Sequence, residues 1–153
     1  MREYFDKELT QLNDSLIEMG GLVEQAIKNT MKMIVDGEDL LDIAREHENR
    51  INEAEKSIQS RCLHLLLHQA PVAHDLRYVS AALKMITDLE RIGDQAVDIA
   101  EMSVYIKDKK QVFNLTHILE MADNASKMVT EAIDAFVTVS YTHLRAHETL
   151  ANL

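Results

Sequence analysis

Apolar residues recur every three or four positions along most of this chain, and little interrupts them. Leu9, Leu12, Leu16, Met19, Val23, Ile27, Met31 and Ile34 form the first run. That spacing predicts an amphipathic helix of about thirty residues. Four Gly and one Pro in 153 residues are too few turn-formers for a sandwich or a barrel. The class expected is therefore all-α.

Three further runs follow. Asp36-Gly37 ends the first helix, and Glu38-Asp39 supply an acidic first turn for the second. The second carries Ala44, Ile51, Ala54, Ile58, Cys62, Leu65 and Leu66, to about Gln69. Pro71 suits the first turn of a third helix, which carries Leu76, Val79, Leu83, Ile86, Leu89, Ile92, Ala96, Ile99 and Ala100. Polar residues 107 to 111 contain the connection to a fourth. Long helices joined by short loops pack antiparallel with their neighbours, so an up-down bundle is expected. Gly20 and Gly21, inside the first helix, fit a close helix contact. With 46% hydrophobic residues, eight Met and no Trp, the core is aliphatic and Met-filled.

An internal echo adds to this organisation. Leu16, Met19, Val23, Ile27, Met31 and Ile34 recur 102 positions later as Ile118, Met121, Ala125, Val129, Ile133 and Phe136. Two readings fit: chance alignment of two amphipathic helices, or a tandem three-helix repeat cut off after the first helix of its second copy. On the second reading the apolar face of residues 115 to 138 has lost its partners and favours self-association.

Charge and length exclude several classes. A net charge of −10 argues against nucleic acid, which is bound by clustered Lys and Arg. No eighteen apolar residues run together, so no membrane span is expected. The charged N-terminus does not read as a signal peptide, which makes the cytoplasm the expected compartment. A single cysteine excludes an internal disulfide and a thiolate-rich zinc site.

The densest chemistry lies on the third helix. Glu90, Asp94, Asp98 and Glu101 fall within an arc of roughly 80°, with Thr87 among them, while Leu89, Ile92, Gly93 and Ala96 take the buried side. Like charges at i,i+4 cost about 0.2–0.5 kcal/mol per pair on an isolated helix. The stripe therefore calls for screening, a cationic partner or a metal. The second helix offers a matching row, Glu48, Asn52, Glu55 and Gln59. If the rows face each other, hard oxygen donors converge, suiting Mg, Mn, Ca or non-haem Fe better than Cu or Zn. The bland alternative is a solvated face with Arg77, Lys84 and Arg91 as counter-charges.

Other candidates are weaker. The Glu-x-x-His pairs of di-iron bundles, a Gly-rich phosphate loop and a His-Glu-x-x-His element are all absent. His64, His68 and His74 read as surface or cap residues around Pro71, and Cys62 as a small core residue. His143 and His147 have metal-compatible spacing but lie in a doubtful tail.

The run from Cys62 to Arg77, with its Gln-Ala-Pro-Val-Ala-His-Asp-Leu-Arg core, and the run Asp88-Leu89-Glu90-Arg91-Ile92-Gly93-Asp94 resemble the PhoU family of phosphate-transport regulators. The likeness covers residues 1 to 138. It implies tandem three-helix bundles, here a complete one over 1–110 and the first helix of an incomplete second over 111–138. It also implies metal clusters, often of iron or zinc, on Glu/Asp-x-x-x-Asp motifs. Glu90, Asp94 and Asp98 then become first-choice ligands, with Glu48 from the second helix and Asn52 and Glu101 flanking. Asn52 stands where the family usually has an acid, and its amide oxygen is a weaker, uncharged donor. Residues 139–153 depart from the family and read like translated adapter sequence rather than a helical repeat.

The resemblance implies a non-enzymatic adaptor that restrains phosphate uptake and starvation signalling. Its partners would be the ATPase side of the phosphate ABC transporter and a membrane sensor histidine kinase. Two other classes remain at this level: a metal-dependent hydrolase or redox protein using the carboxylates, and a structural bundle whose acids maintain solubility.

Overall fold

A computed structural model describes residues 2–68, 72–106 and 115–151. Pro71 and the connection at 107–111 lie outside them, as do the side chains of His68, His143 and His147. The described residues form four helices: α1 (Arg2–Asp36), α2 (Leu41–His68), α3 (Ala73–Ser103) and α4 (Leu115–Ala151). No strand occurs among them, and no helix is long and apolar enough to cross a membrane.

The periodic residues do what their spacing predicts. Leu12, Leu16, Met19 and Val23 of α1 are completely buried, and Ile51, Ile58, Leu65, Val79 and Ile86 meet them from α2 and α3. Cys62 is a buried core residue whose thiol burial pushes up to about 11. Helix α1 stops where Gly37 takes φ 74°, the left-handed conformation that glycine adopts without a Cβ penalty. Glu38 and Asp39 precede α2 rather than opening it. Asp39 Oδ1 accepts from the Leu41 N–H at 3.4 Å, and Asp42 is the acid of the first turn. Helix α3 begins at Ala73, after Val72.

Cross-links fix the directions. Arg61 of α2 donates to Glu8 Oε2 at 2.9 Å and to Gln11 Oε1 at 2.6 Å, near the start of α1, so α1 and α2 are antiparallel. Thr30 Oγ1 donates to Ala96 O at 2.8 Å and Tyr78 OH to Asn13 Oδ1 at 2.5 Å, so α1 and α3 are parallel. The result is the expected up-down-up bundle.

Helix α4 lies antiparallel along α1. Gly20 sits against Ile133, Thr130 donates to Glu24, and Asn13 Nδ2 donates to Ser140 Oγ at 3.0 Å. Val129, Ile133, Val137 and Ser140 are buried in this seam, and Phe136 stacks on Tyr78. The fourth helix has therefore not lost all its partners: one edge of its apolar surface is packed on α1. The other edge, with Met121 and Met128 each 70% exposed, is open. The echo of α1 maps unevenly onto burial, because Val129 and Ile133 are covered while Met121 and Ala125 are exposed. Beyond residue 138 the helix continues to Ala151, with Ser140 buried and Leu144 partly buried against the core.

Candidate metal-binding face

The site is positioned by a close contact of α2 with α3. A Cβ on Gly93 would fall 2.8 Å from Ile51 Cδ1, so these helices touch where a side chain would separate them. Ile51 lies between Glu48 and Glu55 in sequence, and Gly93 between Glu90 and Asp94. The close contact therefore brings the two acidic rows along one seam. Glu48, Asn52, Glu55, Glu90, Asp94 and Glu101 are half-buried, while Asp98 and Gln59 are exposed.

Electrostatics records the juxtaposition. Burial first, then the charges of Asp94, Glu101 and Asp98, hold the Glu48 carboxyl above the usual glutamate range, with Arg45 opposing. Glu90 is raised by burial, by a hydrogen bond shared with Asp94, and by the charges of Asp94, Glu55 and Glu48. Four of the expected carboxylates on α3 thus act on, or respond to, one carboxylate pair on α2. Coulomb repulsion between such groups persists unless a cation intervenes.

The cation of α2 that reaches this seam is Arg45. Its guanidinium donates to Glu101 Oε1 at 3.1 Å from Nη2 and 3.3 Å from Nε. Arg45 was not foreseen, although it lies one turn before Glu48 on the same stripe. Arg91, one of the expected counter-charges, faces Asp88 on its own helix at 3.9 Å, with both side chains exposed. Glu55 belonged to the foreseen row but not to the foreseen ligands; it contributes to the rise at Glu90. Thr87 donates to Leu83 O at 3.3 Å, tying its hydroxyl to its own helix. Ile92, expected on the buried side, is 36% exposed at the edge of the α3–α4 groove. It points 60° away from Leu89 around the helix, enough to leave the core.

The donor chemistry fits a hard cation: carboxylates and an amide oxygen along one seam, where burial and then neighbouring carboxylates raise the proton affinity of Glu48 and Glu90. In this conformation no three His, Cys, Asp or Glu among the described residues converge tightly enough to enclose an ion. Closure requires rotation of side chains that are exposed or half-exposed.

Comparison with known proteins places the chain. The PhoU domain profile matches residues 16–103. The phosphate-specific transport system accessory protein PhoU homolog of Pseudomonas aeruginosa is 32% identical over 136 residues, covering 88% of this chain and 56% of that protein. The homolog from Clostridium acetobutylicum is 30% identical over 138 residues, covering 89% and 63%. The crystal structure of PhoU from Pseudomonas aeruginosa superposes with a TM-score of 0.79 at 31% identity, over 88% of this chain and 65% of that one. The chain spans about three fifths of the length of these relatives. Profile, relatives and superposed fold agree: the chain belongs to the PhoU family.

Proposed function

We propose that this chain is a non-enzymatic accessory module of phosphate-specific transport, acting as a metal-loaded adaptor in the cytoplasm. The observation that carries the reading is the paired acidic seam, in which Glu48 of α2 feels Asp94, Asp98 and Glu101 of α3. Relatives named as phosphate-specific transport system accessory proteins supply the biological setting.

Glu90, Asp94 and Asp98 would hold the ion from α3 and Glu48 from α2, with Asn52 and Glu101 at the margins. Iron, zinc, manganese or magnesium would supply positive charge that offsets the repulsion between the rows. The protein's own contribution is rigidity: Gly93 against Ile51 fixes the tilt of α2 on α3, so the seam presents one charge pattern to a partner. The partners that fit are the ATPase side of the phosphate ABC transporter and a membrane sensor histidine kinase, with the chain restraining uptake and starvation signalling.

The test is capture of each partner by the full chain, with and without metal, beside the Pseudomonas aeruginosa relative as positive control. Binding that weakens in Asp94→Asn and on chelation supports the adaptor. No binding by this chain under conditions where the relative binds overturns it.

A further inference from the structure

We propose that Arg45 is a displaceable counter-cation: it neutralises one end of the empty α2–α3 seam and swings out to solvent when a divalent cation loads the carboxylates. The exchange rests on the metal-binding reading of that seam, and it makes the position of one guanidinium report whether the seam is occupied.

The two rows run antiparallel and stay in step. Arg45 stands beside Glu101 and Ile51 beside Gly93, while Glu48 between them feels Asp94 and Asp98. Arg45 is one turn from Glu48 on α2, as Glu101 is from Asp98 on α3. Positive charge thus stands at one end of the seam, and the remainder of both rows is carboxylates and amides.

The hold on Arg45 is weak. Both of its hydrogen bonds end on the same oxygen, Glu101 Oε1, at 3.1 and 3.3 Å. A strong charge-assisted contact is shorter, about 2.7–2.9 Å, and a strong arginine fork spreads over two oxygens. The arginine side chain is 55% exposed and the glutamate 45%. An exposed pair of this kind shifts an equilibrium by about fivefold at most. What draws the guanidinium in is the field of the acids, and its charge also reaches Glu48. A cation held by Glu48 reverses that field. At a separation of about 6 Å, a doubly charged ion and a guanidinium repel by about tenfold in an equilibrium constant even in bulk water. Repulsion exceeds pairing, so Arg45 gives way. Its exposure leaves it room to turn outward and stay hydrated. The coupling is reciprocal: the factor by which metal loosens Arg45 is the factor by which Arg45 weakens metal.

Two measurements on the full chain test the exchange: manganese binding by equilibrium dialysis at low salt, and labelling of Arg45 by phenylglyoxal, read by peptide mass spectrometry. Arg45→Gln should bind manganese about two- to fivefold more tightly than the wild type, which is the pairing no longer broken. Arg45→Lys keeps the charge and should bind close to wild-type affinity. Manganese should raise the labelling of Arg45 in the wild type and leave exposed Arg50 of the same helix unchanged. In Glu101→Gln, Arg45 should label at the raised rate with or without metal. Manganese bound equally by the wild type and Arg45→Gln, or more weakly by the variant, overturns the exchange and leaves the metal site standing. Tighter binding in Arg45→Gln with unchanged labelling in the wild type overturns it as well, because the charge then repels without moving. No manganese bound by the wild type or any variant overturns both the exchange and the metal-binding reading beneath it.

Discussion

Gly20 of α1 lies directly beneath Ile133 of α4, and a Cβ built at Gly20 would collide with the Ile133 Cδ1 methyl. Its neighbour Gly21 has no side-chain or remote atom within 4 Å of the same virtual Cβ. Adjacent glycines thus have different reasons to be there.

The two positions should respond in opposite ways. Gly21→Ala removes the mid-helix glycine penalty at an open site and should stabilise the chain by about 0.5–1 kcal/mol. Gly20→Ala gains the same propensity, but the end of Ile133 must rotate aside, so the net change should be near zero. Gly20→Leu cannot be absorbed by a methyl rotation and should cost about 1–3 kcal/mol by lifting α4 from α1. Urea denaturation of the three variants checks the order; a destabilised Gly21→Ala would contradict the open site.

A buried polar chain fastens α4 beside that contact. Tyr78 OH donates to Asn13 Oδ1, and Asn13 Nδ2 donates to Ser140 Oγ. Asn13 is completely buried and Ser140 is 3% exposed. Tyr78→Phe should cost about 1–3 kcal/mol by stranding the amide oxygen, and Ser140→Ala about 1 kcal/mol. An unchanged stability in Ser140→Ala would mean that α4 is not seated at its far end.

The same tyrosine gives a pH signature. Burial pushes the Tyr78 phenol from 10 up to about 12. The unfolded chain ionises this group near pH 10 and the folded chain near 12. The stability it contributes is whole below pH 10 and lost as the pH rises to about 12. Near-UV absorbance should show a late tyrosine titration approaching pH 12, and that late step should be absent from Tyr78→Phe.

How much of this was legible follows from what a periodicity encodes. The spacing of Leu12, Leu16, Met19 and Val23 states that one face is buried, and it is. The same spacing on α4 could not say which helix covers Val129 and Ile133, because the partner of an apolar face is a tertiary fact. Ile92 shows the angular limit: it shares a stripe with Leu89, yet the stripe is wider than the core it faces. The acidic row of α3 was readable because i,i+4 carboxylates must share a face. The pairing of Arg45 with Glu101 was not, since it depends on the α2–α3 register that Gly93 and Ile51 set.

That register makes the acidic seam a liability that pH, salt or a cation should relieve. Glu48 and Glu90 both have folded pKa values above the ordinary 4.5. A carboxyl raised in the folded state favours folding most when protonated. Its contribution is fully present below about pH 4.5 and is lost as the pH rises through the raised values. At neutral pH and low salt, Glu90→Gln should therefore stabilise the metal-free chain by about 0.2–0.5 kcal/mol for each like-charge contact relieved. The gain should fade in high salt, where exposed charges are screened. A bound divalent ion acts in the same direction and further, adding about 2.7 kcal/mol at a hundredfold excess over Kd. Thermal melts with manganese or ferrous iron against a chelator should show a rise in Tm for the wild type and little for Asp94→Asn. Glu101→Gln should keep most of the rise, because Glu101 stands at the margin of the proposed ligand set and is paired with Arg45. Equal melting temperatures with and without every metal would reduce the seam to a repulsive surface.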